Sequence, residues 1–253
     1  MENKILTGKN IVKSFGEGEE KRVVLEQVSL EVEKGEMIAV MDPSGSGKST
    51  LLFCMSGMDT VDAGQITFNG RELSACSENE LSDIRRNQMG FVFQQPSLLK
   101  NQNILDNIIL TAVRSNPKDV DAIVKRAKIL MEKTGIAELA ERSITKASGG
   151  QLQRAGICRA LMNRPEIIFG DEPTGALNSQ AEQEIMELFQ TINQEGTAVM
   201  LVTHSAKIAE RTQRVVFMSD GQIKSECKLG KYTGKNLEER LATITAKMQE
   251  LGI

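Results

Sequence analysis

The sequence is poor in the residues and segments that mark several large protein classes. Its 253 residues contain one histidine, His204, which excludes a metal cluster built on several histidines. No stretch approaches the roughly 20 apolar residues that span a bilayer. The first residues, Met1–Thr7, lack the apolar segment of a secretory signal. We therefore expect a chain that remains in the cytosol.

Cysteine pairs and a surplus of positive charge are also missing. Cys54, Cys76, Cys158 and Cys227 form no Cys-x-x-Cys pair, which favours reduced, mostly buried thiols over zinc or disulfides. The formal net charge is −3, so the overall charge does not favour nucleic acid as a partner, although it does not exclude a local basic patch. With 40% hydrophobic residues, the chain is long enough for one α/β domain and a smaller lobe.

Apolar spacing predicts the order of the secondary structure. Residues 4–41 carry short apolar runs that are typical of strands, and residues 64–70 predict a short strand with an Asn-Gly turn. Residues 81–87 predict a helix, and residues 89–93 predict a buried strand. From 95 to 146 the spacing becomes helical, so we expect a helical segment inserted between strands.

A glycine- and serine-rich segment after the apolar run Met37–Met41 predicts a phosphate-binding loop. Gly45 and Gly47 allow the backbone N–H groups to turn inward, and the helix that starts near Lys48 adds the positive end of its dipole. The predicted nucleotide-binding residues of this loop are Ser44, Gly45, Ser46, Gly47, Lys48, Ser49 and Thr50.

The loop residues have separate expected roles. Lys48 would reach the β and γ phosphates, Ser49 would offer its hydroxyl to Mg²⁺, and Thr50 would bond near the α and β phosphates. The alternative is a loop without a ligand. The preceding strand and a downstream Asp-Glu pair argue against that alternative.

The first position of the loop motif is Asp42, where glycine is usual. Aspartate tolerates unusual backbone angles, but its carboxylate repels an anionic ligand. We expect Asp42→Gly to bind ATP more tightly than the native chain, which parallel titrations with ATP would measure. Equal affinities would contradict this expectation.

A second motif lies after the apolar run Ile167–Phe169, where Gly170 is followed by Asp171 and Glu172. At the carboxyl end of a buried strand, Asp171 would hold Mg²⁺, and Glu172 would polarise the attacking water as general base. Alternatively, the two carboxylates only cap the next helix.

A third motif distinguishes the class of nucleotide-binding protein. The sequence Ala-Ser-Gly-Gly-Gln-Leu-Gln-Arg, residues 147–154, precedes a stretch with helical character. Ser148 and Gly150 would lie at a helix N-terminus, with free donors for an anion. This segment resembles the Leu-Ser-Gly-Gly-Gln signature of ABC (ATP-binding cassette) ATPases. The resemblance implies that Ser148, Gly149, Gly150 and Gln151 contact a nucleotide held by another copy of the chain.

Four further segments resemble this family in the required order, over roughly residues 4–225. Phe15 resembles the aromatic residue that stacks on adenine. Gln94 resembles the glutamine at the junction with the helical subdomain, and His204 resembles the switch histidine that contacts the γ-phosphate and the attacking water. Residues 176–178 resemble the loop after the catalytic glutamate. The resemblance implies the catalytic residues Glu172, His204 and Gln94 and the Mg²⁺ ligands Ser49, Gln94 and Asp171.

The sequence departs from the family pattern at three positions besides Asp42. Ala147 replaces the leucine of the signature, and Ser205 replaces an acid that often follows the histidine. Asn178 replaces an aspartate that joins two protomers in the family; it removes a charge and keeps an acceptor oxygen. The proposed catalytic residues are intact, which favours ATP hydrolysis over a cassette that only binds nucleotide.

The resemblance implies a P-loop NTPase fold of the ABC type, with a mixed sheet core, an N-terminal antiparallel β region and an inserted α-helical subdomain. We expect the core at residues 1–94 and 147–226, the helical subdomain at 95–146, and an extension at 227–253. The extension predicts an amphipathic helix that packs on the core, with Asn236 as N-cap and Glu239 completing a capping box.

The resemblance further implies ATP and Mg²⁺ as cofactors, a head-to-tail homodimer that closes on ATP, and a separate membrane permease. The chain is similar to the macrolide-efflux, lipoprotein-release and bacitracin-resistance group. Its Gly-Ala-Leu sequence at 175–177 and its tail favour antimicrobial-peptide resistance, with the subunit on the inner face of the cell membrane and a sensor histidine kinase reached through the permease. A cell-division cassette and a soluble cassette are alternatives.

Overall fold

The computed structural model describes residues 3–41 and 47–252, and two sheets form its α/β part. The first sheet is antiparallel with the order β2-β1-β4-β5, and the second has the order β10-β9-β3-β8-β7-β6. The strands are β1 (Lys4–Phe15), β2 (Arg22–Glu33), β3 (Met37–Met41), β4 (Ala63–Phe68), β5 (Arg71–Glu72), β6 (Met89–Phe93), β7 (Ile167–Asp171), β8 (Ala198–Thr203), β9 (Arg214–Ser219) and β10 (Gln222–Lys228). The predicted fold class, an N-terminal antiparallel region with a mixed core sheet, is confirmed.

The core sheet brings the ends of separate chain segments together. Strands β6, β7, β8, β3 and β9 are parallel, and β10 pairs antiparallel with β9. In the register, Phe93 lies opposite Asp171, Asp171 opposite Val202, and Met41 opposite Thr203. The carboxyl ends of β3, β6, β7 and β8 therefore share one edge, which is where ligands bind in sheets of this kind.

Helices cover the sheet and form the inserted segment. They are α1 (Lys48–Met55), α2 (Glu78–Gln88), α3 (Ile104–Ser115), α4 (Val120–Lys133), α5 (Gly149–Leu161), α6 (Ser179–Gln194), α7 (Ala206–Ala209) and α8 (Leu237–Leu251). The strand predicted at 89–93 is confirmed. The helix predicted at 81–87 is also confirmed but starts earlier, because Ser77 and Glu80 form a capping box.

The turn between β4 and β5 follows its sequence signal. Asn69 and Gly70 have φ angles of 48° and 79°. Two successive positive φ angles are what a type I′ hairpin turn requires, and Asn-Gly adopts them readily. The prediction of an Asn-Gly turn is confirmed.

The inserted helices have an apolar core of their own. Ile104 and Ile108 of α3, Ala127 and Met131 of α4, and Ala155 of α5 are buried together. The helical pattern from 95 to 146 is therefore confirmed for α3 and α4, which pack against the helix that carries the third motif.

The segment before α3 is held by a buried side chain. Asn107 accepts a hydrogen bond from the N–H of Leu99 at 2.6 Å and donates to the carbonyls of Leu99 and Asn103. Leu98 packs against the core of α3, α4 and α5, whereas Leu99 is 46% exposed. The sequence left open whether these two leucines are core residues or exposed contacts. Leu98 packs on the core, and Leu99 is exposed.

The tail helix α8 packs on the core, as predicted. Ile244 is buried with Met41 and Phe217, and Met248 and Leu251 pack against the same cluster. The predicted capping box is wrong. Asn236 adopts a left-handed conformation with φ 60°, and its side chain caps nothing. An N-cap side chain usually needs the extended conformation to reach the helix N–H groups.

The cysteines are free thiols in two environments. Cys54 and Cys158 are buried, and Cys76 and Cys227 are half-buried. Burial raises the pKa of the Cys54 thiol to about 12 and that of Cys158 to about 11. Both buried thiols are therefore protonated at neutral pH and act as packing residues.

Candidate active site

The carboxylate at the end of β7 contacts the first turn of α1. The Ser49 hydroxyl donates a hydrogen bond to Oδ1 of Asp171 at 2.8 Å, although 122 residues separate them. Burial raises the pKa of Asp171; the Ser49 hydrogen bond and Lys48 lower it, and Glu172 raises it further. Two predicted Mg²⁺ ligands are therefore adjacent, and the carboxylate is in a desolvated place that favours a cationic partner.

We expect Asp171→Asn to make the nucleotide-free protein more resistant to heat. Because the folded-state pKa is raised, the charged carboxylate destabilises the folded protein above that pKa, and the penalty disappears as the pH falls below it. The melting temperature of the variant should exceed that of the native protein at about pH 7, and the difference should shrink toward about pH 4. The exposed Asp83→Asn serves as control, and a lower melting temperature for Asp171→Asn at the higher pH would contradict the expectation.

The next residue, Glu172, is held in a conformation that few side chains adopt. Its φ is 47°, and its N–H donates to the carbonyl of Val202 at 2.9 Å, which continues the pairing of β7 with β8. Oε1 of Glu172 lies 2.9 Å from Nδ1 of His204, whose side chain is 69% exposed. A non-glycine residue at positive φ often marks a functional site.

The alternative reading of Asp171 and Glu172 as helix caps is wrong. Helix α6 begins seven residues later, and its N-cap is Asn178, whose side chain accepts from the N–H of Ala181 at 2.9 Å. The acceptor oxygen that the sequence retains at position 178 therefore caps the helix of its own chain.

Gln94 lies directly after β6 and close to the turn that follows Glu172. A Cβ atom placed on Gly175 would come 3.0 Å from Nε2 of Gln94. Glycine at 175 therefore leaves room for the exposed amide of Gln94, and the structure brings Gln94 to the same edge as Asp171, Glu172 and His204.

The structure describes only the last four of the predicted residues of the nucleotide-binding loop. Asp42, Ser44, Gly45 and Ser46 lie outside the described residues. Gly47 has a φ of 100°, and a Cβ atom there would come 2.8 Å from the carbonyl oxygen of Val24, so this position requires glycine. The other three predicted residues, Lys48, Ser49 and Thr50, form the first turn of α1.

Phe15, predicted to stack on adenine, lies at the end of β1 and is 48% exposed. The ammonium of Lys13 lies 5.1 Å from the centre of its ring, within the range of a cation–π contact. Lys13 is itself held by Asp59 at 2.7 Å. One side of the aromatic ring is thus supported by a fixed cation.

The third motif forms the N-terminus of α5 and has its own surface. Ser148 is the N-cap and forms a capping box with Gln151. Gly149 and Gly150 form the first turn, where a Cβ atom on Gly150 would lie 3.2 Å from Cβ of Ala181. Among the described residues, no hydrogen bond joins residues 148–151 to Ser49, Asp171, Glu172 or His204. The helix N-terminus expected from the sequence is confirmed.

The donor set at the strand edge fits a magnesium ion that nucleotide phosphates and water also bind. The hydroxyl of Ser49, the carboxylate of Asp171 and the amide oxygen of Gln94 are oxygen donors, which Mg²⁺ prefers. In the part of the chain that the structure describes, no group of three or more His, Cys, Asp or Glu side chains could hold a metal ion. Magnesium is commonly held by one or two protein groups with phosphates and water, so these residues fit a nucleotide-bound ion.

Comparison with known proteins agrees with this geometry. A family model described as ABC transporter matches residues 25–175, which is more than half of the chain. The chain belongs to the ABC transporter family. This ABC cassette is 40% identical over 223 residues to the macrolide export ATP-binding/permease protein MacB of Pasteurella multocida, covering 88% of the cassette and 34% of MacB. The cassette thus spans about a third of the length of that relative.

Another relative and a solved structure match over nearly their whole length. The cassette is 38% identical over 219 residues to an uncharacterized ABC transporter ATP-binding protein of Methanocaldococcus jannaschii, with 87% of the cassette and 97% of the relative covered. The post-hydrolysis dimer of the ATP-binding cassette MJ0796 with ADP and Pi superposes with a TM-score of 0.83 at 34% identity, covering 90% of our chain and all of the other. Our chain is therefore an ATP-binding ATPase cassette.

None of the helices in residues 3–41 and 47–252 combines the length and the apolar character needed to cross a bilayer.

The sequence predicted no role for Gln153, a buried residue of the ABC cassette. Gln153 is 1% exposed, and its Nε2 donates to the carbonyls of Phe93 and Pro173. The available signal was its spacing, because Gln153 precedes the apolar Ile157 by four residues and so lies on the same face of α5. A polar side chain on a buried face needs hydrogen-bond partners, but the sequence does not name backbone carbonyls as those partners.

Proposed function

We propose that this cassette hydrolyses ATP at the strand edge described above and uses the reaction to drive a separate membrane permease. The proposal of catalysis depends on the hydrogen bonds of two adjacent carboxylates. Asp171 accepts a hydrogen bond from Ser49, and Glu172 is hydrogen-bonded to His204. One carboxylate faces the phosphate loop and the other faces the histidine, so their roles differ.

The proposed roles follow from these positions. Lys48 and the loop N–H groups bind the β and γ phosphates, and Phe15 stacks on adenine. Glu172 takes a proton from the attacking water, while His204 holds the Glu172 carboxylate through Nδ1 and faces the γ-phosphate. Ser49, Gln94 and Asp171 would hold a Mg²⁺ ion, which would supply positive charge to neutralise the phosphates.

We further propose that two copies of the cassette close head to tail around two nucleotides. Ser148, Gly149, Gly150 and Gln151 would then donate to the γ-phosphate bound by the other copy, because the N-terminus of α5 carries backbone N–H groups and a positive dipole end. The dimeric state of the similar cassette MJ0796 supports this arrangement.

The chain would divide into three parts in this cycle. We propose residues 1–94 and 147–226 as the nucleotide-binding core, 95–146 as the helical subdomain that contacts the permease, and 227–253 as an extension. Leu99 follows Gln94 by five residues, is 46% exposed and is fixed by Asn107, which supports a permease contact on this segment. Binding to the permease would place the cassette on the inner face of the membrane.

The finer function that we propose is resistance to antimicrobial peptides, with signalling to a sensor histidine kinase through the permease. It depends on the resemblance at residues 175–177 and in the tail. The similarity to the macrolide export proteins MacB favours macrolide export as a second candidate. A cell-division or lipoprotein-release cassette would use the same ATPase on a different membrane partner.

Copurification from native membranes tests the permease proposal. The expected result is one membrane permease with an extracellular domain, whose complex hydrolyses ATP faster when bacitracin or a lantibiotic is added. Stimulation by a macrolide instead would favour the second candidate, and recovery of a wall-hydrolase regulator would favour division. Recovery of the cassette without any membrane protein would contradict the proposal.

A further inference from the structure

The side chain of Gln153 joins two catalytic segments to the helix that carries the signature motif. Its Nε2 donates to the carbonyl of Phe93 at 2.9 Å and to that of Pro173 at 2.6 Å. Phe93 immediately precedes Gln94, and Pro173 immediately follows Glu172. Both N–H groups of one amide therefore bind the backbone next to Gln94, a proposed Mg²⁺ ligand, and next to Glu172, the proposed general base.

A second residue of α5 holds the chain that continues from Gln94. Nη1 of Arg159 donates to the carbonyl of Ser97 at 2.9 Å, and Nη2 donates to that of Pro96 at 2.6 Å. Gly156 lies between them, and a Cβ atom there would come 3.3 Å from Cβ of Pro96. Residues 93–97 thus follow the side of α5 at close range.

These bonds are difficult to exchange for water. Gln153 is 1% exposed and its bond to Pro173 is buried, so water cannot easily replace the lost donor there, and an unsatisfied buried carbonyl keeps the full desolvation cost. The Pro173 bond also acts on the turn in which Glu172 keeps its positive φ. A rotation of α5 must therefore either carry these backbone segments with it or break both bonds.

We propose that Gln153 is a positioning residue that transmits the position of the signature helix to Gln94 and Glu172. Engagement of Ser148 by a nucleotide on a second copy would fix the tilt of α5, and Gln153 would then set the distance between Glu172 and Gln94. This inference rests on the proposed function, since it assumes that Glu172 is the base and that the signature binds in trans.

The test replaces Gln153 by methionine, which has a similar length and no N–H donors. We expect kcat for ATP hydrolysis to fall at least about tenfold, as for other groups that align a catalytic residue, with KM changed less than about twofold. ATP-induced dimerisation, measured by size-exclusion chromatography in a Glu172→Gln background, should persist. Gln190→Met is the matched control, because Nε2 of Gln190 is buried without a hydrogen-bond partner within the described residues.

Several outcomes would overturn the inference. A kcat within about twofold of the native value is one, since a positioning group of this kind has a larger effect. A parallel loss of kcat, ATP affinity and dimerisation is another, because it would indicate a purely structural role. If Gln153→Met does not fold, Gln153→Asn keeps the amide but is too short to reach both carbonyls, and it should give an intermediate kcat with unchanged KM. Persistent hydrolysis by Glu172→Gln alone would instead contradict the proposed function.

Discussion

Glu172→Gln is expected to lower the rate of ATP hydrolysis about 100-fold or more while ATP still binds, because an amide cannot accept the proton of the attacking water. Glu172 is placed for this role at the end of β7, with Oε1 2.9 Å from Nδ1 of His204. Glutamine preserves the size of the side chain and can still bond the histidine. The variant therefore separates the loss of the base from a loss of structure.

The measurement compares steady-state hydrolysis and ATP affinity of the native and variant proteins. Glu187→Gln is the control, since this glutamate is exposed on α6 and, among the described residues, its carboxylate accepts a hydrogen bond only from Gln183. We expect the control to hydrolyse ATP at the native rate. Retained activity in Glu172→Gln would refute the assignment of the base, and a simultaneous loss of ATP affinity would indicate that the substitution disturbs the phosphate loop.

Arg240→Met is expected to destabilise the protein by about 3 kcal/mol, because it removes a buried charged donor shared by several carbonyls. Arg240 is 8% exposed, and its guanidinium donates to the carbonyls of Glu210, Thr212, Leu229 and Gly230. These carbonyls belong to residues 210–212 and 229–230, so the hydrogen bonds of Arg240 attach α8 to the core. Methionine keeps much of the apolar stem, so the loss should reflect the hydrogen bonds.

Chemical denaturation measures this change in the free energy of unfolding, and hydrogen exchange shows whether residues 237–251 open first. Lys247→Met on the same helix is the control. Its ion pair with Glu250 is accessible to solvent, with side-chain exposures of 28% and 65%, so the change should stay within about 0.5 kcal/mol. Equal stability of the two variants would show that α8 is attached by apolar contacts such as those of Ile244 alone.

The motifs and their places at strand ends could be predicted from the sequence, because apolar runs and glycine patterns act over short distances. Ser49 and Asp171 are 122 residues apart, yet each follows a recognisable strand, and parallel pairing brings them together. The helix at Ser148 also follows a local rule, since serine with glutamine three residues later forms a capping box. Local rules of this kind predict most of the fold.

The residues that connect segments could not be predicted in the same way. Gln153, Arg159 and Arg240 all donate to backbone carbonyls, and a carbonyl looks the same at every position of a sequence. The predicted capping box at Asn236 was wrong for a related reason. Asparagine is a common N-cap residue. The backbone of Asn236 is left-handed, however, and its side chain makes no capping hydrogen bond with α8.

The shared edge of the core sheet has a consequence for where motion can occur. Gln94, Glu172 and His204 each follow a strand, and β6, β7 and β8 are hydrogen-bonded to one another along their length. The sheet therefore fixes the three strand ends relative to one another, and only the turns and side chains that follow them can adjust when nucleotide binds. ATP binding does not need to bring these strand ends together, so its free energy remains for moving α3, α4 and α5, which share a separate apolar core, relative to the sheet.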